Sequence, residues 1–203
     1  MAIYLIRHGE TASNAARVLQ FPDTPLSENG LEQARRLGDR LRGHPFARIL
    51  VSDYARAHQT AEAVNRTTTA ALEVTPLLRE RNFGDLRGRP YAELEAEGIQ
   101  PFGDDYHPPG GEGWEAFHER VHAAWSYMAA AAEQAGRDIA VVTHGLVCSS
   151  VVARKVAHGH GVTGPITGWV NTSLTIIEPG DTWTATLVNC GAHLEEIRET
   201  GPA

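Results

Sequence analysis

The chain is short of cysteine. Cys148 and Cys190 are the only two in 203 residues, they lie far apart, and neither sits in a C-x-x-C pair, so no thiol metal or redox motif is legible. Long apolar runs are missing as well: none approaches the roughly 20 residues that a membrane-spanning helix needs. Strand-like sequence begins at residue 3 with no charged leader and apolar stretch ahead of it, so no secretory signal is read. The expectation is a cytoplasmic protein with reduced thiols, in which the sequons at 65–67 and 171–173 have no use. Positive charge is in deficit, with 18 Lys and Arg against 25 Asp and Glu for a net charge of −7. Nucleic acid and anionic membrane surfaces are therefore not expected partners, although an acidic protein can still hold a basic pocket. Internal repeats and low-complexity stretches are absent, and 42% hydrophobic residues over this length fit a single domain over 1–203 with a sizeable core.

What is present is an alternation. Apolar runs of strand length recur at 3–6, 48–51, 139–142, 173–177 and 183–188. Helical patterns fall between them. Ser27 is placed to cap a helix over 27–43, with Leu31, Ala34, Leu37 and Leu41 at helical spacing. Residues 54–65 are rich in alanine, and 112–134 carry a stripe of Trp114, Phe117, Val121, Ala124 and Met128. A further helix follows His144-Gly145, from Leu146 to about Val156. Strands alternating with helices predict an α/β fold, a three-layer αβα sandwich around a mostly parallel sheet. The last two runs, parted by Pro179-Gly180-Asp181, predict a hairpin that adds an antiparallel edge. A Gly- and Pro-rich excursion at 98–113 interrupts the alternation and, with the residues from 89 onward, is expected to act as a lid.

The strand ends carry the chemistry. The first run stops at Arg7-His8-Gly9-Glu10, the 139–142 run at Thr143-His144-Gly145, and the 48–51 run at Ser52-Asp53-Tyr54-Ala55-Arg56. In open α/β sheets, ligands bind in the crevice at the carboxyl ends of strands. If these three strands are parallel, two histidines and two arginines converge there, with helix N-termini adding N–H donors suited to phosphate. A neutral imidazole beside a fixed cation is a competent nucleophile toward phosphorus.

Six blocks in order, LIRHGETASN, PLSENGLEQA, SDYARAHQTA, LLRERNFGDLRG, PPGGEG and VVTHG, resemble the histidine phosphatase superfamily, which includes cofactor-dependent phosphoglycerate mutase and broad-specificity phosphatases. The resemblance runs from about residue 3 to 194. It implies a phosphoglycerate mutase-like fold and metal-independent hydrolysis of small phosphate esters through a phosphohistidine. On matching positions, His8 is implied as nucleophile, Arg7, Arg56 and His144 as ligands of the phosphoryl oxygens, Glu80 as proton donor to the leaving group, and Asn14 as a further phosphate contact. Gly145, Gln20 and Phe21 are additional expected substrate contacts. No cofactor or metal is implied. For this chemistry, His8 should hand its other N–H to a backbone carbonyl, and Glu80 should have a raised pKa.

The chain departs from the family at Gln20-Phe21-Pro22-Asp23, which is one residue shorter than usual and lacks a glycine after the glutamine; that bears on substrate shape. Between 89 and 113, Arg89 is the only Lys or Arg, alongside Glu93, Glu95, Glu97, Asp104, Asp105 and Glu112. So acidic a lid should repel a bisphosphate, which favours a hydrolase over the alternative, a phosphoglycerate mutase. A non-catalytic phospho-ligand binder is a further alternative, disfavoured by the intact set of His8, Arg56, Glu80 and His144. From another class, His118-Glu119-x-x-His122 fits the H-E-x-x-H pattern of zinc peptidases. Its metzincin continuation fails, with Trp125 in place of Gly and Met128 in place of His. Gly159-x-Gly161-x-x-Gly164 follows a helix, where a dinucleotide loop would follow a strand. His158, His160 and His193 receive no role.

Overall fold

The computed structural model describes residues 1–159 and 168–198. The chain runs β1 (Ile3–Arg7), α1 (Ala12–Ala15), α2 (Glu28–Arg40), β2 (Arg48–Val51), α3 (Ala55–Thr68), β3 (Ala71–Val74), α4 (Tyr91–Ala96), α5 (Trp114–Ala135), β4 (Ile139–Thr143), α6 (Gly145–Arg154), β5 (Ala157–His158), β6 (Leu174–Glu178) and β7 (Thr184–Cys190). The strands form one sheet in the order β3-β2-β4-β1-β6-β7-β5. β1, β2 and β4 are mutually parallel, and β6 pairs antiparallel with both β1 and β7. The expected hairpin is present, and its reversed strand β6 lies against β1. No helix among the described residues is long and apolar enough to cross a membrane.

Side chains on a strand alternate between faces, and here that alternation divides the core in two. Ile3, Leu5, Ile139 and Val141 enter one apolar cluster with Phe117, Val121 and Met128 of α5 and Val147 and Val151 of α6. Ile6, Ala140 and Val142 enter the other, with Leu37 of α2 and Ala57, Ala61 and Val64 of α3. β1 and β4 are thus buried on both faces, which is why they read as continuous apolar runs. The short edge strand β3 has exposed or half-buried residues throughout, too weak a pattern to be read from sequence.

Ser27 caps α2 as expected, accepting from the Gly30 N–H. Ala34, Leu37 and Leu41 of the expected stripe are buried, whereas Leu31 is exposed and Gly30 beside it is buried instead. Gly30 occupies the contact position because a β-carbon there would stand 2.0 Å from the Glu10 carbonyl oxygen. The glycine lets α2 close against the loop that leaves β1, and that loop carries His8.

The segment expected to be irregular begins with α4 and then runs in turns to Gly113. Its organiser is Arg81, 1% exposed and among the largest fully buried side chains. The guanidinium donates to the carbonyls of Pro101, Tyr106 and Glu112 and lies 3.9 Å from the centre of the Trp114 ring. The Trp114 indole donates in turn to the Gly103 carbonyl. A small apolar cluster of Leu19, Phe83, Leu86 and Leu94 lies beneath. Hydrogen bonds to a charged donor contribute about 1.5–3 kcal/mol each, so Arg81→Ala should lower the melting temperature and open 98–113 to limited proteolysis. An unchanged melting temperature with a protected lid would show that the clamp contributes little.

Candidate active site

The sheet brings the three predicted strand ends together. Arg7 of β1 is in register with Thr143 of β4, and the His8 N–H donates to the Thr143 carbonyl. Val51 of β2 pairs with Val142, and the Ser52 N–H continues the ladder to the Val142 carbonyl. His8, His144 and the first turn of α3 with Arg56 therefore face one crevice. His8, Arg56 and His144 are all buried. The two imidazole rings lie 5.1 Å apart.

His8 lies 2.7 Å from the Gly9 carbonyl through Nδ1. A carbonyl only accepts, so Nδ1 carries the proton and Nε2 keeps its lone pair. Arg56 Nε donates to that Nε2 at 3.3 Å, and Arg56 Nη1 donates to the Phe21 carbonyl at 3.0 Å. Burial, followed by the charges of Arg56 and Arg7, holds the His8 pKa well below its ordinary value, so the ring is neutral. The Asn171 side chain and the Thr172 N–H both donate to the His8 carbonyl, which fixes its backbone.

His144 is neutral for the same reasons, burial first and then the charge of Arg56. Its Nε2 lies 2.9 Å from Ser52 Oγ, and Ser52 Oγ also accepts from the Tyr54 N–H. A serine hydroxyl that donates to Nε2 would put the His144 proton on Nδ1. Nδ1 is buried with no partner among the described residues, and so is Nε of Arg7. Two unsatisfied donors at one site are costly to bury, and an oxyanion would satisfy both. Burial pushes the Arg56 pKa down to about 10, so the guanidinium keeps its charge at neutral pH.

Glu80 lies against this cluster. Its carboxyl accepts from the N–H groups of Arg81 and Leu146, both at 3.1 Å. Burial raises its pKa despite those contacts and the charges of Arg56 and Arg7. Its sequence neighbours engage elsewhere, Arg79 with Asp53 and Arg81 with the lid carbonyls.

The pocket beside these groups has a volume of about 80 Å³; Arg7, His8, Asn14, Gln20, Arg56 and Glu80 line it, whereas His144 is fully buried behind that lining. Asn14 Oδ1 accepts from the Thr11 N–H and from Asn171, which leaves the amide Nδ2 for a ligand. Gly145 opens α6 against the Arg7 guanidinium. Phe21 departs from the expectation: its ring is half exposed and lies beside Gly88, and only its carbonyl serves the site. The turn at 21–24 spends that carbonyl on Arg56 and on the Thr24 N–H, which orients the ring outward.

The lid acids also differ from expectation. None of Glu93, Glu95, Glu97, Asp104, Asp105 and Glu112 lines this pocket, whereas Tyr91, Phe102, Arg81 and Arg87 do. Glu97 pairs with Arg89 and Glu112 with Arg120, and Glu112 lines a larger cleft beside this pocket. Sequence reading missed Ser52, Tyr54, Arg87, Tyr91 and Phe102. The first two sat inside a recognised block, while the aromatic wall had no signal because the lid's path is set by tertiary contacts.

His118 and His122 take separate partners, Ser150 Oγ at 3.1 Å and Lys155 Nζ at 3.0 Å. No group of three or more potential metal-ligating side chains occurs among the described residues. Residues 160–164 of the glycine run, His160 among them, lie outside the described residues. His158 lies 3.1 Å from the Val152 carbonyl, and His193 lies between Thr172 and Arg40.

Residues 3–191 match the profile of the histidine phosphatase superfamily (branch 1). The chain is 35% identical over 161 residues to the adenosylcobalamin/alpha-ribazole phosphatase of Salmonella typhimurium, covering 76% of this chain and 79% of the relative. It is 32% identical over 207 residues to phosphoglycerate mutase-like protein 4 of Arabidopsis thaliana, covering 96% and 87%. Among solved structures, a phosphoglycerate mutase from Bacillus anthracis superposes with a TM-score of 0.81 at 27% identity, covering 97% of this chain and 96% of that one. The alpha-ribazole phosphatase from Shigella flexneri superposes at 0.78 with 29% identity, covering 95% and 98%.

An oxyanion that fills the unsatisfied donors should stabilise the fold through linkage. Orthophosphate is expected to raise the melting temperature of the wild type and to leave that of Arg7→Met unchanged. An equal rise in both proteins would place the anion elsewhere.

Proposed function

The chain belongs to the histidine phosphatase superfamily (branch 1) and is a phosphomonoester hydrolase, and we propose that it works through a phosphohistidine on His8. Residues 1–203 form one such domain in this reading. The observation that carries it is the state of the His8 ring: neutral, protonated on Nδ1 against the Gly9 carbonyl, with the Nε2 lone pair beside the Arg56 guanidinium.

Phosphoryl transfer asks mainly for positioning and for stabilisation of charge on the equatorial oxygens. Arg7, Arg56, His144 through its Nδ1–H, and Asn14 supply those contacts. In the first step the Nε2 lone pair forms the N–P bond as the ester P–O bond breaks. Protonated Glu80 gives its proton to the departing alkoxide and becomes a carboxylate. In the second step that carboxylate takes a proton from water, the resulting hydroxide oxygen attacks phosphorus, and the N–P bond breaks to return a neutral imidazole. Glu80 is thus acid and then base, and its raised pKa suits both tasks.

The substrate is a small phosphate ester, and the cytoplasm fits the two unpaired thiols Cys148 and Cys190. The proposed steps use no metal.

His8→Ala should abolish hydrolysis of p-nitrophenyl phosphate, and acid-labile, base-stable label should appear on wild-type protein alone. Chelator should leave the wild type active; activity that chelator removes would overturn the reading. The pH profile follows from the two shifts. Glu80 must be protonated, so kcat/KM should fall as pH rises through its raised pKa, while His8, held well below 6.5, should impose no fall as pH drops through that value. Glu80→Gln should remove the alkaline limb and lower kcat/KM for alkyl phosphates by about 10²–10⁴-fold. It should affect p-nitrophenyl phosphate far less, since that leaving group needs little protonation. Equal losses on both substrates would deny Glu80 the role of acid.

A further inference from the structure

The pocket around His8, at about 80 Å³, holds a phosphoryl group and little more, since small-molecule sites run to roughly 300–1,000 Å³. The alcohol part of the ester must therefore lie outside it, and two larger cavities adjoin. One, of about 590 Å³, lies between the lid, α5 and α6, and shares only Phe102 and Leu146 with the His8 pocket. The other, of about 650 Å³, opens between the end of β2, the 76–87 segment and α5, and shares Tyr54, Glu80 and Arg87 with it. The leaving oxygen has to meet the Glu80 carboxyl, and Glu80 lines the second cavity and not the first. The floor of that cleft is apolar, with Pro76, Leu77 and Ala116, and its charged groups differ in their pairing. Arg79 is held by Asp53 and Arg120 by Glu112. Arg87 makes no ion pair among the described residues, and its one side-chain hydrogen bond there is to the Tyr54 hydroxyl, at 3.3 Å. Tyr54 itself is 6% exposed, with its ring 5.1 Å from the Arg56 guanidinium carbon. An arginine without a carboxylate thus stands where the small pocket opens into the large one.

We propose that the leaving group docks in the cleft lined by Tyr54, Pro76, Leu77 and Ala116, and that Arg87 is a specificity-determining residue there, selecting phosphate esters whose alcohol part carries a second anionic group. This deepens the phosphohistidine reading and rests on it. The guanidinium presents a planar fork of donors, which suits a carboxylate or a second phosphate. Besides Glu80, the acids that line this cleft are Asp53 and Glu112, and each is paired with an arginine, Arg79 and Arg120, so neither stands as a lone negative charge against a doubly anionic substrate.

The test uses the full-length enzyme and a matched pair, phenyl phosphate and 4-carboxyphenyl phosphate. Wild-type kcat/KM should favour the carboxylate ester by about tenfold or more, mostly through KM, as a hydrogen bond to a charged partner would give. Arg87→Gln should bring that ratio close to one, and Arg87→Lys should retain part of it. Ala116→Trp, at an exposed position of α5, should fill the cleft and raise KM for both esters. Ala153→Trp, in the other cavity, should leave both KM values at the wild-type level. A wild-type ratio near one, a ratio that survives Arg87→Gln, or a KM raised by Ala153→Trp and not by Ala116→Trp would each overturn the proposal. Those failures leave the reaction itself intact, whereas His8→Ala protein that still hydrolyses phenyl phosphate would strike the phosphohistidine reading instead.

Discussion

Two guanidiniums, from Arg7 and Arg56, are held in one crevice with a single carboxyl nearby, and most of the site follows from that constraint. Burying like charges together is tolerable only if the groups between them stay neutral or a ligand brings negative charge. The first condition accounts for His8 and His144, whose protonation would add a third and fourth positive charge; burial and the two arginines both oppose it. The second accounts for the unsatisfied donors on Arg7 and His144. Glu80, the one carboxyl, is pulled in opposite directions by burial and by the arginines, and burial prevails. An acid, a neutral nucleophile and a set of oxyanion donors are therefore consequences of one electrostatic arrangement.

That arrangement depends on rigid supports away from the chemistry. Gly30 lets α2 close on the loop that carries His8. Ser52 holds the His144 ring through Nε2, and Asn171 and Thr172 tether the His8 carbonyl. Arg81 ties the lid to the body through three carbonyls, so Tyr91 and Phe102 form a wall over the pocket. Since that wall closes one direction, Glu80 and Arg87, which has no ion pair among the described residues, stand on the other. Reaction type and substrate choice thus come from different layers of the molecule: strand ends for the first, lid and 76–87 segment for the second.

Much of this was legible in the chain. The runs at 3–6, 48–51 and 139–142 are continuous and apolar because both faces of those strands are buried, and such a pattern survives without coordinates. Arg7, His8 and His144 were legible because each stands at or just past the end of such a run, so a parallel sheet brings them together, and Arg56 because it opens the helix that follows the third run. β3 and α4 were not, being short and exposed or half-buried over much of their length, which leaves no periodicity to read. Leu31 departs from the stripe it was read into because the first turn of α2 meets the β1 loop through Gly30, beside the Glu10 carbonyl, a contact that no apolar pattern marks.

The lid shows the limit most clearly. Its composition is acidic, yet charge along a sequence carries no direction, and Arg89 and Arg120 draw Glu97 and Glu112 away from the pocket. Phe21 is the same case at one residue: its carbonyl serves Arg56 while its ring faces outward. By itself the sequence determined the sheet and which histidines and arginines stand at its strand ends, because local patterns encode burial and strand ends. Only the tertiary structure decided which charges face the substrate, since the direction of a side chain depends on partners that are distant in the chain.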